Sequence, residues 1–223
     1  MKKIGIVTIG QSPRPDVVKE MASFFRKNVK ILERGALDGL TLRQIKELFP
    51  NRGETPLCTR MKDGTEVIIA KEKILSRIGA AIAVLDREKT SLILLLCVGT
   101  FPPFESSCLV VQPQQIVNRC VEALIRKEHH LGVVIPIPEQ EEWARQNFAY
   151  ITPRITVTDA SPYGDRSRLA HASRILKSAD CDLIVMYCMG FTRTLAKEVR
   201  SLTGKPVIVS SSLVARTMGE LLE

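Results

Sequence analysis

The chain has 223 residues, 45% of them hydrophobic and 25% charged, with 32 Lys and Arg against 24 Asp and Glu for a formal charge of +8. These are ordinary globular values, with material for one large domain or two small lobes. The basic residues are scattered and only 5% of the chain is aromatic, so no nucleic-acid partner is expected; no apolar run is long enough to span a membrane.

Ile4-Gly5-Ile6-Val7 reads as a first strand, Lys3 to Ile9. Gln11, Ser12, Arg14 and Asp16 follow too early for the apolar region of a signal peptide, so a cytoplasmic location is expected. A turn at 10–15 leads to a helix predicted from about Asp16 to Asn28, with Val17, Met21, Phe24 and Phe25 at helical spacing. Val29 to Glu33 suits a second strand. The stretch from Gly35 to Ala70 differs from its surroundings: a short helix, Thr41 to Phe49, then two strand-like runs flanking Lys62-Asp63-Gly64, a hairpin turn signal. A helix from Lys71 to Lys89 precedes an apolar strand, Ser91 to Leu96.

After Cys108 to Val111 and a helix from Pro113 to Lys127, the second half opens with a strand, Leu131 to Ile135. It continues through a loop holding Gln140, a helix through Trp143 and a strand at 156–158. A helix from Arg166 to Ser178, a strand from Asp182 to Tyr187 and a helix from Thr192 to Leu202 follow. A strand, Val207 to Ser210, and a helix, Leu213 to Leu222, close the chain. Strands alternating with helices indicate an α/β fold with mainly parallel sheets.

The most specific signal is internal. Leu92-Ile93-x-x-x-Cys97-x-Gly99 recurs as Leu183-Ile184-x-x-x-Cys188-x-Gly190, an offset of 91 residues (188 − 97), and Ile4-Gly5-Ile6-Val7 is echoed by Leu131-Gly132-Val133-Val134. The spacing from opening Gly to closing Cys is 92 residues (97 − 5) in the first half and 56 (188 − 132) in the second. The difference matches the odd stretch at 35–70. Two pseudo-symmetric Rossmann-like lobes are therefore expected, lobe 1 over 1–112 with a helix-plus-hairpin insertion and lobe 2 over 113–206.

In open α/β sheets, ligands bind beyond the carboxyl ends of strands, where both cysteines sit. Pseudo-twofold pairing of the lobes would aim Cys97 and Cys188 at one pocket. Against this stands the plainer reading of each as a small apolar strand-end residue. Facing thiols suit proton transfer at carbon, one thiolate removing a proton while the other thiol delivers one. Thr192 as a helix cap would set a positive dipole end near Cys188. Candidate donors for a carboxylate and an enolate are Ser12, Arg14, Thr100, Gln140 and Thr192, with the N–H groups of Gly99 and Gly190. Ser12 and Thr192 have rival readings as helix caps, Arg14 as a solvated side chain, and Tyr163 as a turn cover. The six cysteines form no Cys-x-x-Cys pair, and His129, His130 and His171 show no ligand spacing and read as solvent-exposed. No Gly-x-Gly-x-x-Gly occurs either. Neither a metal nor a cofactor is expected.

Thr8-Ile9-Gly10-Gln11-Ser12-Pro13-Arg14-Pro15-Asp16, Gly35-Ala36-Leu37-Asp38-Gly39-Leu40, Leu95-Leu96-Cys97-x-Gly99-x-Phe101, Val134-Ile135-Pro136-x-Pro138-Glu139-Gln140 and Cys188-Met189-Gly190-Phe191-Thr192 together resemble the AroM family from first strand to last helix. That family is similar, more distantly, to the aspartate/glutamate/hydantoin racemase superfamily. The resemblance implies a cofactor-independent isomerase with acid/base roles at Cys97 and Cys188, and a return of 207–223 to lobe 1. Gln11-Ser12 stands where racemases carry Asp-Ser, and Val98 and Met189 follow the two cysteines, which argues against amino-acid racemisation. The function expected is racemase-like proton transfer on a small carboxylate. Its rivals are a non-catalytic binding or regulatory protein and a dithiol redox protein. The sequence leaves open whether the chain forms a homo-oligomer.

Overall fold

A computed structural model describes residues 2–26 and 28–222. The chain divides into two compact units, Met1–Gln114 with Thr217–Glu223, and Gln115–Arg216. The first runs β1 (Lys3–Thr8), α1 (Pro15–Ala22), β2 (Lys30–Gly35), α2 (Leu42–Lys46), β3 (Pro56–Arg60), β4 (Glu66–Ala70), α3 (Lys71–Arg87), β5 (Leu92–Leu96) and β6 (Leu109–Val111), and reaches the start of α4 (Pro113–Leu124). The second carries β7 (Leu131–Ile135), a 3-10 turn (Pro138–Gln140), α5 (Glu141–Phe148), β8 (Ile155–Asp159), α6 (Arg166–Ser178), β9 (Leu183–Met186), α7 (Arg193–Thr203), β10 (Val207–Val209) and most of α8 (Ser210–Leu221).

Each unit is built on a four-stranded parallel sheet. The orders are β2-β1-β5-β6 and β8-β7-β9-β10, so β1 answers to β7 and β5 to β9. Strands buried on both faces read as continuous apolar runs. That describes β5, β7 and β9, all of whose residues are buried. The β2 and β8 strands at the opposite edge are half-buried and mix charged or hydroxyl residues with apolar ones. The opening glycines of the repeat have a shared packing reason. A Cβ on Gly5 would stand 2.8 Å from Leu85 Cδ1 on α3, and one on Gly132 2.9 Å from Leu176 Cδ2 on α6. Each is where a helix lies directly on a central strand.

The insertion is an antiparallel β3–β4 hairpin in register from Pro56↔Ala70 to Arg60↔Glu66, preceded by α2. Thr41 and Gln44 form a reciprocal capping box at the start of α2. Leu57, Met61, Val67 and Ile69 enter the same apolar cluster as Val7, Leu95 and Phe101. The insertion is therefore part of this unit's core.

Three expectations are corrected. The first helix ends at Ala22, because the Ser23 N–H and hydroxyl both turn back to the Glu20 carbonyl, at 3.1 and 2.6 Å. The segment 207–223 does not pass whole to the first unit: β10 pairs in parallel with β9, Val207 opposite Ile184, and the change of unit falls inside α8. His129 and His130 are half-buried instead of solvent-exposed; His129 Nδ1 accepts from the Arg126 N–H at 2.9 Å, and His130 Nε2 lies 2.9 Å from Thr156 Oγ1. Among the described residues no helix is long and apolar enough to cross a membrane.

Candidate functional site

Parallel pairing brings the sequence-predicted residues together within each unit. Thr8 lies opposite Leu96, so the Gly10–Arg14 loop and the Cys97–Thr100 loop leave one end of the first sheet side by side. Val134 lies opposite Met186, so the Pro136–Gln140 loop and the Cys188–Thr192 loop leave the corresponding end of the second.

The two cysteines have matching surroundings. Each is 9% exposed and joins its unit's apolar cluster. Each sulfur also accepts the backbone N–H two residues on, Gly99 to Cys97 Sγ at 3.3 Å and Gly190 to Cys188 Sγ at 3.4 Å. Burial disfavours a thiolate and an N–H aimed at sulfur favours one, so the two surroundings act in opposite directions. Cys181 is the contrast: fully buried, its thiol is pushed up to about 11, chiefly by burial, as for an inert core cysteine. Burial raises Cys120 also.

On the first loop most polar side chains hold the loop itself. Gln11 Nε2 donates to the Leu37 and Leu40 carbonyls at 3.3 and 2.8 Å, while its Oε1 accepts from the Lys62 N–H at 2.9 Å. Ser12 does not cap α1. Its N–H and hydroxyl donate to Asp38, both at 2.7 Å, and the Gly35 N–H donates to the same carboxylate at 2.7 Å. Arg14 is neither solvated nor poised for a ligand carboxylate. It is 3% exposed, its fork closes on Asp16 at 3.0 and 2.8 Å, and Nη1 donates to Thr8 Oγ1 at 3.2 Å. Burial alone would push Asp16 up, but the Arg14 bonds and charge, with Arg60, hold it below the usual value. The Arg14 N–H donates to Glu33 at 2.7 Å, yet burial outweighs this and raises Glu33.

Thr100 is exposed beyond Cys97 and accepts from Gln114 Nε2 at 2.8 Å. In the second unit Gln140 is buried at the end of the 3-10 turn. Thr192 caps α7, its Oγ1 accepting from the Leu195 N–H at 3.4 Å, which leaves its hydroxyl proton for another acceptor. Tyr163 reaches the cysteine loop: a Cβ on Gly190 would stand 2.5 Å from its hydroxyl, so only glycine admits the ring.

Sequence reasoning missed the polar cluster behind Cys188. Tyr187 donates to Asn118 Oδ1 at 2.7 Å and accepts from Asn147 Nδ2 at 3.1 Å, and Asn118 Nδ2 donates to Asn147 Oδ1 at 3.1 Å. Trp143 stacks on the Tyr187 ring at 5.6 Å and Phe148 meets it edge-on at 5.0 Å. Asp38 was missed as well; it sits inside a quoted motif, but nothing local says that it reaches back 26 residues to Ser12. Among the described residues no group of three or more His, Cys, Asp or Glu could hold a metal ion.

The family model described as AroM protein matches residues 4–222. No curated protein matches the chain by sequence. Among solved structures, the chain is similar to a liganded double variant of arylmalonate decarboxylase, with 13% identity, a TM-score of 0.63 and coverage of 100% of this chain and 92% of that one. It is similar also to the aspartate racemase of Picrophilus torridus, at 12% identity and TM-score 0.60 over 100% of this chain and 94% of that one. The maleate isomerase Iso of Pseudomonas putida S16 gives 13% identity and TM-score 0.60 over 99% and 92%. At such identities these likenesses speak for a shared racemase-like fold.

Proposed function

This chain belongs to the AroM family, and from that membership and the paired cysteine loops we propose a cofactor-independent enzyme of proton transfer at carbon, acting on a small carboxylate. One cysteine thiolate removes a proton from the carbon beside the carboxylate, leaving a thiol and an enolate. The thiol of the other cysteine returns a proton to that carbon and becomes the thiolate. Cys97 and Cys188 are the pair.

The observation that carries this reading is the matched N–H donation onto both sulfurs, from Gly99 and Gly190, at the same step beyond equivalent strands. The fold relatives give independent support. Arylmalonate, aspartate and maleate, the compounds in those relatives' names, are all small dicarboxylates. For the enolate and carboxylate, Thr100, Gln140 and Thr192 are the side-chain donors offered here. Arg14 and Ser12 serve as loop anchors, since their donors face Asp16, Thr8 and Asp38. Cytoplasmic location and a small-molecule partner complete the proposal.

The test is deuterium incorporation beside the carboxylate of small mono- and dicarboxylates in heavy water. Incorporation that Cys188→Ser and Cys97→Ser each reduce at least a hundredfold, within the usual ~10²–10⁴-fold worth of a positioned acid or base, supports the reading. Incorporation indifferent to both substitutions refutes it. Tight binding without exchange would instead assign a binding protein.

A further inference from the structure

The Cys188 loop is a hydrogen-bonded turn with a second loop pressed against it. The Phe191 N–H donates to the Cys188 carbonyl at 3.3 Å, closing a turn whose middle residues are Met189 and Gly190. The Gly190 N–H donates to Cys188 Sγ at 3.4 Å, so the sulfur stands where an Asx or Ser oxygen stands in a side-chain turn. The described glycines with positive φ are Gly39, Gly53, Gly64 and Gly204, so backbone conformation does not demand glycine at 190. Space does. A Cβ there would stand 2.5 Å from the Tyr163 hydroxyl and 2.8 Å from both Tyr163 Cζ and Pro162 Cγ.

The loop that presses on Gly190 is itself firmly held. Ala160, fully buried in the same apolar cluster as Cys188 and Phe191, donates its N–H to the Ile135 carbonyl at 2.9 Å. The Tyr163 N–H donates to Ser161 Oγ at 3.1 Å and the Gly164 N–H to the Ser161 carbonyl at 3.3 Å. Asp165 then caps α6. Beyond Gly190 the turn is pinned by Ser211 Oγ, which donates to the Phe191 carbonyl at 2.6 Å. The first unit differs. A Cβ on Gly99 would meet Phe101 Cε2 at 3.2 Å and Leu57 Cδ2 at 3.4 Å, close to ordinary apolar contact. Both loops thus aim an N–H at sulfur, but the tight clamp on the donor residue belongs to the Cys188 loop.

We propose that Tyr163 is a positioning residue for Cys188: its ring, laid on Gly190, holds that residue's N–H on the sulfur and so eases formation of the thiolate. The role rests on the reading of Cys188 as an acid or base, but the thiol itself supplies the readout, so failure here and failure of the carbon chemistry are told apart. The rate of alkylation by iodoacetamide, followed across the pH range in which thiols titrate, reports thiolate formation. Mass spectrometry of the separate peptides reads Cys188 and Cys97 in the same sample. In Tyr163→Ala the Cys188 profile should move up by about half to one pH unit, the worth of one neutral hydrogen bond, while the Cys97 profile stays. Tyr163→Phe keeps the ring on Gly190 and should restore most of the wild-type profile. Tyr163→Leu, bulky without a flat ring, should shift Cys188 as alanine does and serves where the alanine chain fails to fold. A merely loosened unit would speed alkylation at every pH and leave the midpoint in place. That result, an unmoved Cys188 profile in a folded variant, or an equal shift at Cys97 overturns the proposal.

Discussion

Replacing Gln11 by Ala tests whether the 35–70 insertion is a fixed wall or a lid. The side chain spans three backbone groups of the insertion: the carbonyls of Leu37 and Leu40 and the N–H of Lys62. A neutral hydrogen bond contributes roughly 0.5–1.5 kcal/mol net. With Gln11 half-buried, some of that loss is recovered from water, so about 2 kcal/mol is expected. For a chain of this size that lowers Tm by about 4–8 °C. Because the bonds join local turns to a strand end, hydrogen exchange reads the effect more directly. The amides of Leu40 and Gly64, which donate to Leu37 and Met61, should exchange up to about 30-fold faster, the population equivalent of that energy. Gln11→Glu keeps the acceptor for Lys62 but loses both donors, so its damage should concentrate at Leu37–Leu40. Unchanged exchange in both turns of a folded Gln11→Ala chain would show that apolar packing alone holds the insertion, and would refute the reasoning.

Tyr187→Phe removes a hydroxyl that satisfies Asn118 and Asn147 at once, while the two amides still bond each other; urea unfolding should show a loss of about 1–2 kcal/mol. Asp16 has its folded pKa below the usual 3.8, so its ion pair stabilises the chain above that value and loses its effect as pH falls through the folded pKa. The stability gap between wild type and Asp16→Asn, followed by acid titration, should therefore close below about pH 3.8. Glu33 is raised above 4.5, which reverses the sign: its contribution is full below 4.5 and shrinks as pH rises through the folded value, so Glu33→Gln should gain on wild type at neutral pH.

Much of what depends on a residue's near neighbours was legible in the sequence, though the local Ser23-to-Glu20 turn that ends α1 was not. Continuous apolar runs marked β5, β7 and β9 because those strands are buried on both faces. Lys62-Asp63-Gly64 marked the β3–β4 turn, where Gly64 has φ +99°, a conformation glycine adopts freely. The Cys-x-Gly repeat marked two equivalent strand ends. Tertiary structure decided what distance along the chain conceals. Val207–Val209 could have joined either sheet until β9 took it. Ser12 could have capped α1 until Asp38, 26 residues on, claimed both its donors. Arg14 offered a fork for any carboxylate until folding buried it against Asp16 and Thr8. A polar side chain takes whichever partner the closed loops bring within about 3 Å, and one-dimensional periodicity records burial but not that choice.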